Sequence, residues 1–465
     1  MFRIRKIAAL VVLSFALFGC GTEVVQQETS GDFSFTINDA ENPEYYALSG
    51  YTGNEDTVTL PTTHNSLPVR EVASQAFSGH NTIKTIVITA SYTTIFDDAF
   101  SNMPLLETVS FEEDATLAII LDYAFANNPL LKEINLPTSI VSLGRGIFKN
   151  CLQLETISIP HFVDIDQGVF IPEETFMGCV ALKTVGVSST LSMIGTRAFE
   201  GCTSLVNFMF RDTITTISDY AFANSGLTDR FICPQGLMKL GEGAFFSTTI
   251  TDIVFNATFS ALTTRSLLAM PNLRTITFGA LFSEFAPFAI VDCPNVTEII
   301  LDGNLNFSIE NNLLFDASGA ELIYVTPSIK TINITKPRLI ISEGAFYASQ
   351  IETLVLNGTI SLIINELAFK EAVIGTITLN GVITMRNNAF SSSEISSISL
   401  LGTTIIGNYA FSDVKLSVID LTHVTYVGVG AFYNWDGSQT IRYRDATNYS
   451  TMWRFGSLAN FEQIT

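Results

Sequence analysis

AFEGCTSLVNFMF, residues 198–210, decides the fold through the register in which it recurs. It packs an Ala-Phe pair, the lone Cys202, a leucine and two more phenylalanines into thirteen residues, so it reads either as a reactive thiol or as a slice of core. Alignment of the chain on this stretch separates the two. Ala-Phe recurs at Phe77, Phe100, Phe125, Phe199, Phe222, Phe245, Phe346, Phe369, Phe390, Phe411 and Phe432, and variants fill the gaps at Phe148, Phe176, Leu268, Ile290 and Phe315. Sixteen units therefore run over residues 65–435. The commonest spacing is 23 residues, falling to 21 in the last three intervals, and the intervals of 28 before Phe176 and 31 before Phe346 read as insertions.

The pattern inside each unit is equally regular. An aliphatic residue usually follows six places after the Phe, and a pair follows at nine and eleven, as in Leu154, Ile157 and Ile159. Alternation of this kind marks a strand with one buried face. Another apolar residue stands five places before the Phe, as at Ile95, Leu143, Ile194, Ile217, Leu240, Ile341, Ile364, Met385 and Ile406. One coil of this length cannot bury these positions alone, so neighbouring coils must stack into a solenoid with continuous internal ladders. At about 4.8 Å between strands, such a body is on the order of 75 Å long. A length of 465 residues then means one extended body in place of several globular domains.

SMIGTRAFEGCTSLVNFMF and TISDYAFANSGL carry a specific resemblance. The unit resembles the type 5 leucine-rich repeat of the BspA-like family of bacterial surface proteins. ENNLLFDASGAELIYVTPS, residues 310–328, is similar to the longer variant repeat of that family, and FTINDAENPEYYALSGYTGNEDTVTLP, residues 35–61, to its N-terminal segment. The resemblance covers residues 33–465. It implies a leucine-rich repeat solenoid, with a strand and a short helical or irregular segment in each coil, about sixteen coils, and a cap at each end. Functionally it implies an adhesin or interaction module, with a glycan-binding receptor or a structural surface-layer component as the alternative. Solenoid ends expose core and need covering. Residues 32–64 are expected to form a strand-rich N-terminal cap, 65–435 the solenoid, and 436–465 a C-terminal cap with a short helix beginning near Ser450.

The start of the chain reads as an export signal over residues 1–19: a basic MFRIRK, then an apolar run from Ile7 to Phe18. That run is too short to span a bilayer, which takes about 20 residues. Leu17-Phe18-Gly19-Cys20 resembles a bacterial lipobox, which implies lipidation of Cys20, with residues 20–31 as a tether. The membrane would then be contacted through the lipid anchor only, leaving the chain extracytoplasmic at the cell surface. Hydrophobic residues make up 47% and charged residues 15%, so the chain has ample core and little tendency to disorder. The net charge of -21 becomes -24 once the leader's Arg3, Arg5 and Lys6 are gone, a field that repels phosphate backbones. Nucleic acid is not an expected partner.

Candidate sites are few. Cys151, Cys179, Cys202 and Cys293 share the place three residues after the Phe with Ser225, Ser349, Ser393 and Ala372, so the position calls for a small side chain, and buried cysteine behaves as a small hydrophobe. Cys233 falls on an inward strand position. Cys179 and Cys202 lie one coil apart, but parallel side-chain directions suit a disulfide poorly. Histidines 64, 80, 161 and 423 show no metal-ligand spacing, and no hydrolase or phosphate-loop motif occurs. HFVDIDQGVFIPEE, residues 161–174, with Asp164, Asp166, Glu173 and Glu174, reads as a solvated acidic loop more simply than as a calcium site. No catalytic residue, metal or cofactor is expected. Among outward strand positions, Met209, Ile232, Val254 and Ile300 form an apolar stripe that can mark a protein interface with a host or envelope protein. No aromatic stands on that face, which leaves glycan binding without support there. Trp435 and Trp453 sit near the C-terminus, where packing of the cap explains them more simply than a glycan site.

Overall fold

The computed structural model of the chain describes residues 27–160, 169–447 and 449–464. The expected signal segment 1–19, Cys20 and the tether up to residue 26, together with His161, Asp164 and Asp166, lie outside the described residues. Among those residues the chain is a β-solenoid of about 18 turns, near the sixteen expected, with irregular turns and no helix between the strands.

Two sides of the coil are parallel strand ladders. The first holds the alternating strand read from the sequence, and its register matches that reading: Val87 stands opposite Ser110, Ser158 opposite Gly186, and Thr378 opposite Ser399. The second is built from the apolar residue five places before the Phe. Val72, Ile95, Ile120 and Leu143 pair in sequence, as do Ile171, Ile194, Ile217 and Leu240. In the last third, the two sides merge into long strands, Thr331–Ile341, Gln350–Ile364 and Val373–Met385. The first breaks register at Pro337 and the other two at glycine. Gly381 has φ +115°, and a Cβ there would lie 1.8 Å from the Gly358 carbonyl oxygen, so backbone approach excludes every other residue.

The Ala-Phe segment forms the third side. Residues two places before and two places after the Phe have positive φ, as at Asp98 and Asn102, Tyr123 and Asn127, or Arg197 and Gly201. This geometry points alternate N–H groups along the solenoid axis. Asp98, Phe100 and Asn102 donate to the carbonyls of Asp122, Ala124 and Ala126 at 3.0, 2.8 and 2.9 Å. The turns thus replace helical hydrogen bonds with inter-coil ones, satisfying backbone groups that a short loop would leave bare. Inside, the rings stack coil on coil: centroids are 5.0–5.9 Å apart from Phe77 to Phe245 and 4.4–5.9 Å apart from Phe346 to Phe432.

The buried residues fall into two clusters, one from Phe35 to Tyr324 and one from Leu313 to Ala459. Between them lies an antiparallel meander, Phe307–Glu310, Leu313–Asp316 and Glu321–Val325, which joins the next coil by parallel pairing with Thr331–Ile341. The N-terminal cap has the same topology: Gln27–Ser30, Phe33–Ile37 and Tyr46–Tyr51 run antiparallel, and the last pairs parallel with Leu67–Val72. Phe315, aligned above as a turn phenylalanine, therefore sits in a meander strand.

Three further expectations need correction. Gln27–Ser30 are not tether: Glu28 accepts hydrogen bonds from Tyr46 at 3.2 Å and Asn65 at 2.7 Å and meets His64 at 3.0 Å, pinning an edge strand to the cap. The first ladder skips residues 206–210, where Phe208 and Phe210 are half-buried and pack against Phe222 at 5.2 and 5.3 Å, so they are not rungs of a strand. The helix expected near Ser450 is absent; residues 451–456 are turns whose carbonyls at Met452 and Gly456 accept from Gly430 and Asn434 of the preceding coil. A helix would have kept those carbonyls for itself.

Candidate functional site

Parallel strands present alternate residues to solvent, and the first ladder brings part of the apolar stripe together. Ile232 pairs with Val254, Val254 with Thr277, and Thr277 with Ile300 across strands Thr228–Ile232, Thr249–Val254, Thr275–Phe278 and Glu298–Leu301. Beneath them Ile253, Ile276 and Phe278 are fully buried. Ile232 is 62% exposed and Ile300 39%, while Val254 is half-buried. The adjoining outward column carries Arg230, Asp252, Thr275 and Glu298, so the apolar stripe has a charged border. Met209 is 60% exposed but lies in the unpaired stretch 206–210, outside this ladder.

The thiols have a role that the sequence reading missed. Cys151, Cys179 and Cys202 are fully buried, and each Sγ donates to the carbonyl of the phenylalanine one coil earlier: Phe125 at 3.3 Å, Phe148 at 3.0 Å and Phe176 at 3.1 Å. At the same place in other coils Asn128 donates to Phe100 at 2.8 Å and the Trp435 indole N–H to Phe411 at 2.7 Å. In these coils the position holds a donor to the coil before, whereas Met103, Ala372 and Val414 fill it without one. All five described cysteines are free thiols. Burial pushes the Cys151, Cys233 and Cys293 thiols up to about 12 and Cys179 and Cys202 higher still, so none is a thiolate nucleophile at neutral pH.

Glu174 is not solvated as the acidic-loop reading expected. It is buried, meets Arg145, and accepts from Lys149 at 2.8 Å. Burial works against its charge, but the hydrogen bonds from Lys149 and Arg145 outweigh it and hold the carboxyl below its usual range. Glu173 faces Arg145 at 3.7 Å. Among the described residues no group of three potential ligands converges on a metal position, and no helix is long and apolar enough to cross a membrane.

The profile of the BspA type leucine rich repeat region, in six copies, matches residues 51–171, 169–297, 231–335 and 339–460. The chain belongs to the BspA-type leucine-rich repeat family. A leucine-rich repeat protein from Bacteroides ovatus is 18% identical, with 94% of this chain and 100% of that one covered and a TM-score of 0.56, a likeness of fold. A leucine rich cell surface protein from Faecalibacterium prausnitzii is also 18% identical, with 96% of each chain covered and a TM-score of 0.34. The pneumococcal vaccine antigen PcpA is 15% identical over 95% of this chain and 100% of its own, with a TM-score of 0.41. No curated protein matches the chain. BspA-type repeats are generally non-catalytic, and membership points to an interaction or adhesion role outside the cytoplasm.

In this BspA-type chain the C-terminal aromatics belong to the cap. Trp435 is 1% exposed and Trp453 4%, with Trp453 edge-on to Phe432 at 6.2 Å and to Phe461 at 5.3 Å. The Arg454 guanidinium lies 4.7 Å from the Trp453 ring centre and 4.2 Å from that of Phe461. Rings engaged in this way cover the last coil and offer no flat platform to a sugar.

Proposed function

We propose that the chain is a lipid-anchored, extracytoplasmic binding protein, an adhesin or interaction module without catalysis. It engages a protein partner through the outward face of the first ladder, at Ile232, Val254 and Ile300, with Met209 flanking one end. The observation that carries this reading is the exposed apolar column beside Arg230, Asp252 and Glu298. Interfaces combine such an apolar centre with a polar rim. Cys20 supplies the anchor: two or more acyl chains, at about 0.8 kcal/mol per buried methylene, hold a soluble body stably at a membrane.

The test is a pull-down from envelope and host surface proteins with the chain from residue 21 onward, run beside the Met209→Lys/Ile232→Lys double variant and beside a glycan array. A partner retained by the unmodified chain and lost from the variant supports the interface. Equal retention by both removes the stripe from consideration, and binding confined to the glycan array replaces the protein partner with a glycan.

A further inference from the structure

The junction between the two buried clusters is where the stack is least regular. There the coil bearing Phe288 meets the coil bearing Gly344 directly along the turn side, although more than fifty residues separate them. A Cβ on Gly344 would lie 2.9 Å from the Phe288 ring, and the Phe288 and Tyr347 rings meet edge-on at 5.4 Å. The meander fills the space between these coils only in part, and the turn hydrogen bond to Ala345 comes from Val325 of the meander. What remains is a cleft of about 490 Å³. That volume is within the range of about 300–1,000 Å³ typical of ligand sites.

The cleft has a consistent chemistry. Its lining includes Asp316, Glu321 and Glu343, the rings of Phe285 and Tyr324, and no lysine or arginine. Two of the carboxylates are occupied: Asp316 accepts from the N–H groups of Ala320 and Glu321 at 2.9 and 2.8 Å, and Glu321 accepts from Ser342 at 2.6 Å. Glu343 is half-buried and has neither a hydrogen bond nor an ion pair among the described residues. Tyr324 is 8% exposed, and its hydroxyl likewise meets no hydrogen-bond partner there. That hydroxyl keeps some solvent access, so it is open to an incoming donor. The Phe285 and Tyr324 rings stand 5.9 Å apart.

We propose that this seam cleft binds the guanidinium group of an arginine side chain presented by a protein partner. A guanidinium is flat and weakly hydrated, stacks on aromatic faces, and offers five donors in a rigid fork. The Glu343 carboxylate and the Tyr324 hydroxyl oxygen supply acceptors, and Phe285 supplies a face. An ammonium satisfies the carboxylate but not the flat ring contact. Burial and the nearby Glu366 charge hold the Glu343 carboxyl above its usual range, as befits a carboxylate whose countercharge is missing. The net charge of -21 draws cationic segments towards the chain. This site is separate from the Ile232 column.

The test is calorimetric titration of the full chain, at low salt, with acetyl-Gly-Arg-Gly-amide and with its lysine and citrulline counterparts. Saturable binding of one arginine peptide is expected, with citrulline, the neutral isostere, about tenfold weaker or more, and lysine between them. Glu343→Gln should weaken arginine binding about tenfold and Tyr324→Phe several-fold, with unchanged circular dichroism, whereas Glu394→Gln and Ile232→Lys should leave it as it was. Absence of saturable binding, equal binding of citrulline, or full affinity in Glu343→Gln overturns the proposal. None of these outcomes bears on the strand-face partner, which Ile232→Lys addresses alone.

Discussion

Cys179 shows how a residue changes meaning in register. Its thiol is fully buried and donates to the Phe148 carbonyl at 3.0 Å. Serine at the same place fares worse: the Oγ atoms of Ser225, Ser349 and Ser393 are buried without a partner, since a C–O bond reaches less far than a C–S bond. Cys179→Ala should therefore cost about 1–2 kcal/mol through the lost donor and the void, and Cys179→Ser should cost at least as much despite being the closer isostere. Urea melts of the two variants decide this; a serine variant as stable as the parent contradicts the donor account. Alkali probes the same burial. The folded Cys151 thiol titrates near 12 and the unfolded one near 9.0. Above pH 9 the unfolded chain therefore holds fewer protons than the folded one, and stability falls as pH rises towards 12. Buried Tyr92 and Tyr324 act in the same direction at higher pH. In melts against pH, Cys151→Ala should show a shallower decline over the thiol window than the parent.

At the scale of the element, the turn side is the part of the coil that the sequence concealed. Alternating apolar residues announce a strand, and Ile157 between Thr156 and Ser158 was legible on that ground alone. The second ladder was visible only as a lone apolar residue, because its strands are mostly two residues long and leave no alternation to read. The turns were hidden for a different reason: Asp98, Tyr123 and Arg197 carry positive φ without being glycine or asparagine, held there by inter-coil hydrogen bonds that no local propensity encodes. Where glycine does occupy that place it has a neighbour to thank. Gly146 has φ +61°, and a Cβ there would lie 2.3 Å from the Tyr123 ring of the coil before. Gly146→Ala should thus lose the roughly 1 kcal/mol of a left-handed alanine plus the cost of moving Tyr123. Adding Tyr123→Ala should recover part of that loss in thermal melts, whereas strictly additive losses would show that the ring is not the obstacle.

For the whole molecule, two buried clusters joined by a meander imply two cooperative units. Phe307, Leu314 and Tyr324 pack with the first cluster and Leu313, Phe315, Leu322 and Val325 with the second, so the meander is the shared wall. The long interval before Phe346 was legible as an insertion, but not as a second copy of the N-terminal cap, because that likeness lies in strand direction and not in residue pattern. Calorimetry should resolve two transitions, and Leu354→Ala, buried in the second cluster, should lower one of them by about 2–5 kcal/mol of stability and leave the other in place. A single transition that shifts as a whole contradicts the division. The stripe was legible as a set of outward positions, yet Met209 lies outside the ladder, in an unpaired stretch where Phe208 and Phe210 are half-buried against Phe222. The surface that remains is the centre of the functional account, and its most direct test is a lysine scan along one column of the first ladder, reading affinity for the captured partner. Ile232→Lys and Ile300→Lys should each weaken binding by about 2 kcal/mol or more, while Ser158→Lys and Ser399→Lys, on the same column in other coils, should change it little. Losses spread evenly along the column, or confined to Ser158 or Ser399, would contradict the account.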